Sequence, residues 1–249
     1  MKKHDREAGR GPPRPLLPVL FEDNHLLVIE KPAGVLSQGD GSGRPDVTVL
    51  ASDYIRERYS KPGAVYVGLV HRLDREVGGV MVLARTSKAA ARLSEQFRAR
   101  KVRKIYRALV LPGLPEAGDF QDELTRGEHR AMPAEPGQGQ DARLHYERLA
   151  QRSVRLCTIE SKTRCDRETD LLRVEPETGR YHQIRFQFSV RGHPLLGDRR
   201  YGARIEPAEG GIALYCAGLE IVHPVKREPM LFSAVSLPAW AAGSFANNA

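Results

Sequence analysis

Asp74 stands between two guanidiniums in the stretch Val70-His71-Arg72-Leu73-Asp74-Arg75-Glu76. Flanking arginines oppose protonation of a carboxylate and attract anions, so this stretch suits a reactive carboxylate working on a negatively charged substrate. Val65 to Val70 read as a buried strand, and Val80 to Ala84, after Gly78-Gly79, read as another. Asp74 then lies on a connection held by two core strands, where reactive groups are usually placed. By spacing alone an ion-paired turn is an equal reading.

The charge pattern narrows the substrate. Thirty-nine Lys and Arg against 31 Asp and Glu give a net +8 and a pI near 9.6. Between Arg85 and Arg107 stand nine basic residues, at 85, 88, 92, 98, 100, 101, 103, 104 and 107, against one acid, Glu95. A basic stripe on one helix-strand unit suggests a polyphosphate partner such as nucleic acid, with a solvated helix face as the competing reading.

The 249 residues allow one large domain or two small lobes sharing a core, and 41% hydrophobic with 28% charged residues describes an ordinary soluble globular protein. No apolar run is long enough to cross a membrane. The basic start, Met1-Lys2-Lys3-His4-Asp5, lacks a secretory signal's apolar stretch, which makes cytoplasm the default. Cys157, Cys165 and Cys216 match no zinc or redox spacing, so no metal is expected and the thiols read as reduced. Nothing in the sequence demands more than a monomer.

Residues 1–17, rich in Lys, Arg, Gly and Pro, read as a disordered basic arm. Residues 18–240 read as one domain and 241–249 as a flexible tail. Leu26 to Ile29 form a strand ending at the turn Lys31-Pro32-Ala33-Gly34, and Val47 to Tyr59 show helical spacing. Ser87 offers a helix N-cap. Lys104 to Leu111 alternate as a strand with Lys104, Tyr106 and Ala108 on one face. Residues 112–141, rich in Pro, Gly, Glu and Gln, read as a long excursion without periodicity. Further strands are expected at about 143–149, 154–160, 171–175, 212–222 and 230–237. Ile184, Phe186, Phe188 and Val190 alternate like a strand, yet Gly192 followed by Pro194 is a helix-stop signal, and a short helix is the preferred reading. The fold class is α+β, a single domain with a mixed, mainly antiparallel central sheet flanked by helices and loops, and an active-site cleft across the sheet.

Seven segments, in order, resemble the RluA-type family of pseudouridine synthases, which modify ribosomal and transfer RNA. They are Glu30-Lys31-Pro32-Ala33-Gly34, His71-Arg72-Leu73-Asp74-Arg75, Arg85-Thr86-Ser87-Lys88-Ala89-Ala90 and Lys104-Ile105-Tyr106-Arg107-Ala108-Leu109-Val110. Glu177 through Arg185, Gly192 through Gly202, and His223-Pro224 complete the set, which spans about residues 20–237.

The resemblance implies a single catalytic domain that breaks the N1–C1′ bond of a uridine, turns the base and joins C5 to C1′, with no cofactor or metal. It implies Asp74 as the catalytic carboxylate, either attacking C1′ or taking the C2′ proton. Arg185 would pair with Asp74 and keep it charged, the alternatives being a phosphate contact or another acid. Tyr106 would stack on uracil or help remove the C5 proton, a task that needs a depressed phenol pKa; an ordinary strand aromatic is the other reading. Arg72 would enter the gap left by an extruded nucleotide or hold its backbone. Leu73 and Ile184 would pack the nucleotide pocket, and His71 and His182 would serve as hydrogen-bonding scaffold. Arg98, Lys101, Arg103 and Lys104, within the basic stripe, would attract phosphates.

Two departures from the family pattern stand out. Glu76-Val77-Gly78-Gly79 replaces the usual Asp-x-Ser-Gly, and Tyr181 precedes His182 where a small hydroxyl or another polar residue is frequent. A catalytically silent RNA-binding protein on the same fold, and a hydrolase built on Asp74, are the competing functions. The second generally needs another carboxylate flanking the bond, and the nearest acid, Glu76, lies on the same turn.

Overall fold

The structure, a computed structural model, describes residues 17–242. The basic arm and the tail therefore lie outside the described residues except at their inner ends. There Leu17 and Ala241 are both buried, so packed chain reaches one residue beyond each expected boundary.

The described residues form β1 (Val19–Glu22), β2 (Leu26–Lys31), α1 (Val47–Arg58), β3 (Gly68–Leu69), β4 (Gly78–Ala84), α2 (Ser87–Arg98), β5 (Arg103–Val110), β6 (Ala117–Arg126) and β7 (Ala131–Pro133). Then come β8 (Gln140–Thr158), β9 (Arg164–Pro176), α3 (Gln183–Ser189), β10 (Ile205–Pro207), β11 (Leu214–Val222) and β12 (Pro229–Ser233). One mixed sheet takes in all twelve strands, in the order β1-β2-β4-β11-β5-β9-β8-β6-β7, with β3 on β4, β12 on β11 and β10 on β8. Every pairing is antiparallel except β4 with β11. The α+β expectation holds.

Several elements differ from expectation for physical reasons. The apolar run before His71 is only half-buried, with Tyr66 exposed, and just Gly68–Leu69 pair. Thr86, not Ser87, caps α2: its hydroxyl accepts from Ala89 N at 3.2 Å, and Ser87 is the first helical residue. Asp46 caps α1 by accepting from Thr48 N and Val49 N. The 112–141 excursion contains β6 and β7, and the strands expected at 143–149 and 154–160 are one strand, β8, bulged between Arg148 and Ala150.

The short α3 is buried almost all round, from Gln183 to Phe188. It is held by packing, since seven residues carry too little helix stability of their own. Its Phe188 meets Phe120 and Tyr146 edge-on, with ring centroids 5.0 and 5.7 Å away. This seats the helix over the β6–β8 end of the sheet and fixes where Arg185 points.

The parallel seam explains Gly78-Gly79. Gly78 and Gly79 lie opposite Tyr215 and Cys216 of β11. Gly79 has φ +123°, and a Cβ there would lie 2.2 Å from the Cys216 carbonyl oxygen. Only glycine permits both the backbone angle and the approach. Gly79→Ala is expected to destabilise the fold by about 3 kcal/mol or more in urea unfolding; an unchanged midpoint would contradict the seam's geometry.

Candidate active site

The segment between β3 and β4 carries Asp74 and is tied down along its length. Ser37 Oγ donates to Leu73 O at 2.6 Å and accepts from Leu73 N at 3.1 Å. Arg75 O accepts from Gly34 N at 2.7 Å and from Lys31 Nζ at 3.2 Å. Lys31 is fully buried and also donates to Pro32 O and Val35 O, so its three ammonium hydrogens meet three carbonyls. Burial pushes the Lys31 pKa down to about 8, against the opposing pull of Asp74 and Glu76. Val77 N closes the turn onto Asp74 O at 3.1 Å, and the Leu73 side chain packs in the core.

His71 repairs a gap in the sheet. β3 pairs with β4 only as far as Leu69 opposite Leu83, which leaves the Val82 amide facing no strand. His71 Nε2 accepts that amide hydrogen at 3.0 Å, and its ring stacks on Phe97 at 4.6 Å. Burial, reinforced by Lys104, holds its pKa down to about 3, so the imidazole is a neutral acceptor.

Arg185 enters from α3. Its Nη1 donates to Asp74 Oδ2 at 3.0 Å, while Nε and Nη2 form a two-pronged pair with Asp198 at 2.7 and 2.8 Å. The Asp198 side chain is 0% exposed and that of Arg185 4%, whereas the Asp74 side chain keeps 25% of its surface open to the cleft. Burial pulls the Arg185 pKa down, but Asp198 first and then Asp74 more than offset it, so the net shift is upward. No local pattern selects Asp198: the signal would have been an acid in the Gly197-Asp198 turn, thirteen residues from Arg185.

His182 Nε2 lies 3.1 Å from Arg185 Nη1 and 3.5 Å from Asp74 Oδ2, and its Nδ1 is 3.1 Å from the Tyr201 hydroxyl. Its backbone is left-handed, φ 51°, a region few non-glycine residues adopt, though histidine enters it more often than most. Burial holds its pKa at about 4.

Tyr106 sits on β5 opposite Cys216 of β11 and Val174 of β9, and lines the cleft. Burial, with Cys216 and Asp74 adding, raises its phenol pKa well above the ordinary value. The depressed pKa that proton removal would need is therefore absent, and the phenol is neutral here. Lys104, two residues back, donates to Thr178 O at 2.8 Å, and burial brings its pKa down to about 8.

These groups line a cleft of about 1390 Å³ together with Arg72, Leu73, Arg98 and Ile184. Arg72 is exposed and makes no ion pair among the described residues. Arg98 reaches the rim while paired to Glu95 at 3.1 Å. Lys101 and Arg103 do not line the cleft. Arg103 is engaged by Glu175 at 2.7 Å and by Glu220 at 3.7 Å. The stripe is not one face: Arg92 holds Pro224 O, Arg85 holds Asp23 O, and Arg107 is buried against Ala241 O. Arg126, Arg180 and Arg200, from outside the stripe, join its Arg98, Arg100 and Lys104 in lining the cleft.

Residues 25–190 match the family described as RNA pseudouridylate synthase. The chain belongs to the RNA pseudouridylate synthase family. Relatives in this family include the ribosomal large subunit pseudouridine synthase D of Xanthomonas campestris pv. campestris, 35% identical over 88% of this chain and 65% of that protein. The same-named protein of Yersinia pestis is 33% identical over 92% of this chain and 70% of its own. The chain thus spans about two thirds of the length of these curated relatives. The solved structure of human RNA pseudouridylate synthase domain containing 4 shares the fold, with a TM-score of 0.69 at 22% identity over 90% of each chain. Asp74, Tyr106 and Arg185 all fall within the segment that matches the pseudouridylate synthase family.

Among the described residues no group of three or more His, Cys, Asp or Glu is placed to hold a metal, and no helix is long and apolar enough to cross a membrane. Removing Asp198 would leave the Arg185 guanidinium buried and half paired. Asp198→Ala is expected to cost about 3–5 kcal/mol in urea unfolding at neutral pH; a change below about 1 kcal/mol would show that this carboxylate does not hold the arginine.

Proposed function

We propose that this chain isomerises uridine to pseudouridine in RNA, with Asp74 as the catalytic carboxylate acting on an extruded nucleotide. The observation that carries this reading is a partly open carboxylate in a basic cleft, hydrogen-bonded from behind by a buried arginine. Nine Lys or Arg residues line that cleft against four acids, a surplus suited to a polyanion that brings a sugar to Asp74.

The chemistry follows from the positions. Arg185 is committed to Asp198 and can shift little, so the free face of Asp74 is the one turned to the cleft. From there it serves either route, attack at C1′ or removal of the C2′ proton. Extrusion costs about a few kcal/mol, and Arg72, exposed on the same loop and otherwise unpaired, is placed to hold the displaced backbone. Tyr106 contributes a neutral ring against the base, and the C5 proton passes to water in the open cleft, where the tritium assay reads it. Leu73 and Ile184 supply apolar contacts, and His71 and His182 act through the hydrogen bonds they make. The names of the relatives make large-subunit ribosomal RNA the first class to test, with transfer RNA as the second. We further propose that the enzyme works as a monomer in the cytoplasm, without metal or cofactor.

Incubation with RNA carrying tritium at uridine C5 is expected to release label, and Asp74→Ala to abolish release while RNA affinity stays within about threefold. Arg185→Ala should lower turnover by about 100-fold with a smaller effect on affinity. Free uracil as product would establish hydrolysis instead, and no release from any cellular RNA would favour a binding protein without turnover.

Affinity should draw on the cleft and not on the paired arginines. Replacing Arg126 and Arg200 together by Ala is expected to flatten the plot of log affinity against log salt by about 1.5 to 2. Arg103→Ala should leave that slope unchanged, and a larger loss from Arg103 would restore the α2–β5 stripe as the RNA surface.

A further inference from the structure

The Arg185 guanidinium is an obligatory donor, so what faces it at 3.1 Å must accept. His182 Nε2 faces it, hence that nitrogen carries the lone pair and the ring proton lies on Nδ1. Nδ1 in turn donates to the Tyr201 oxygen at 3.1 Å, and that oxygen also accepts the Ala131 amide at 2.7 Å. A run of hydrogen bonds therefore leads from Ala131, the first residue of β7, to Asp74. It passes through Tyr201, His182 and Arg185, and each member except Asp74 is buried.

The same side of the site is riveted to the hairpin a second time. The Tyr181 ring stacks on His182 at 3.9 Å with the planes 18° apart, and Arg126 at the end of β6 lies over Tyr181 at 4.7 Å. The Tyr181 hydroxyl and Arg200 Nη1 both donate to His129 O, at 3.5 and 2.5 Å. His129 and Arg126 line the cleft. The β6–β7 hairpin thus touches the substrate space on one side and His182 on the other.

We infer that His182, as the neutral Nδ1–H tautomer, is a positioning residue that holds Arg185 on Asp74 and couples that pair to the β6–β7 hairpin. This rests on the reading of Asp74 as the reactive carboxylate, and it gives His182 a task on Arg185 in place of contact with RNA. The left-handed backbone at His182 fits the task, because a costly conformation persists where surrounding contacts over-determine it. Tyr181, where the family more often has a small or polar residue, supplies one of those contacts.

A proton on Nε2 would reverse the arrangement. It would set N–H against N–H at Arg185 and offer Asp74 Oδ2, 3.5 Å away, a new donor. The charged and titratable groups facing the ring are Asp74, Asp198, Arg185 and Arg200, with the phenols of Tyr181 and Tyr201. Burial outweighs the two carboxylates, and the two arginines add to it, so the ring stays neutral.

Two measurements test this. With 15N-labelled histidine in the full chain, and the His182 signal assigned by its loss in His182→Gln, the ring should show the neutral Nδ1–H pattern at pH 7 and no titration near pH 6.5. An Nε2–H tautomer, or an imidazolium at pH 7, would overturn the proposal whether or not the chain is active. In kinetics, His182→Phe keeps ring volume and removes the acceptor; it should lower kcat about 100-fold with KM for RNA changed less than threefold. His182→Gln, whose terminal oxygen reaches the place of Nε2, should recover to within tenfold of wild type. Equal kcat in Phe and wild type, with Asp74→Ala inactive, would leave the catalytic reading intact and remove His182 from it. If both variants unfold, the labelled spectrum of the wild type decides, with the His182 ring assigned through its backbone connectivity.

Discussion

A buried guanidinium between two carboxylates sets the terms for the rest of this structure. Arg185 cannot lose its charge and has almost no contact with water, so each of its hydrogen bonds must be supplied by protein. Asp198 takes one edge and Asp74 with His182 the other. Such an arrangement is weak as a source of stability, since desolvating three charges offsets much of their attraction. Its value is geometric: only one placement of α3, the 198–201 turn and the 70–77 loop satisfies all the partners at once. The reactive group is thereby held by a residue that has no freedom to follow it elsewhere.

The loop bearing Asp74 meets the same demand from its other side. Backbone groups of Leu73, Asp74 and Arg75, and the His71 ring, all find partners outside their own short segment or close the turn. Three of those partners, Lys31, Gly34 and Ser37, come from the end of β2 and the chain just after it, and one from the middle of β4. The rigidity is local, because Arg72 beside it is exposed and unpaired among the described residues. A fixed carboxylate next to a free guanidinium is a sensible division of labour when one must meet a sugar carbon and the other a backbone that moves.

What could be read in the sequence was what depends on near neighbours. Asp74 between arginines, the alternation that puts Lys104 and Tyr106 on one face, and the Gly192 and Pro194 stop after α3 are all short-range signals, and the structure keeps each of them. The family motif brought Arg185 to Asp74 across 111 residues, a pairing that no local pattern specifies. Asp198, Ser37 and Tyr201 were missed because their importance comes from contacts that exist only after folding. The basic stripe is split by folding for the matching reason, with Arg98, Arg100 and Lys104 lining the cleft. Residues close in sequence were assumed to share a surface, yet Arg103 meets Glu175 from 72 residues away and Arg107 turns inward to the C-terminal end. The β6–β7 hairpin hid in a Pro- and Gly-rich segment because β6 is largely exposed and carries few apolar residues, so the period-2 signal is faint.

That hairpin changes how the cleft's charge should be understood. The basic residues of the cleft come from the Asp74 loop, α2, β5, the end of β6, the approach to α3 and the 198–201 turn, so no single element carries the field. Several of them do double duty: Arg126 covers Tyr181, Arg200 holds the hairpin, Arg180 donates to Asp141 O. A polyanion drawn into the cleft would compete for the same guanidiniums that fasten the hairpin to the site. Because Tyr201 accepts from both Ala131 and His182, such competition would be felt at the ring that faces Arg185. The electrostatics that attract the substrate and the hydrogen bonds that aim the carboxylate are thus shared by the same few side chains, and neither can be altered without disturbing the other.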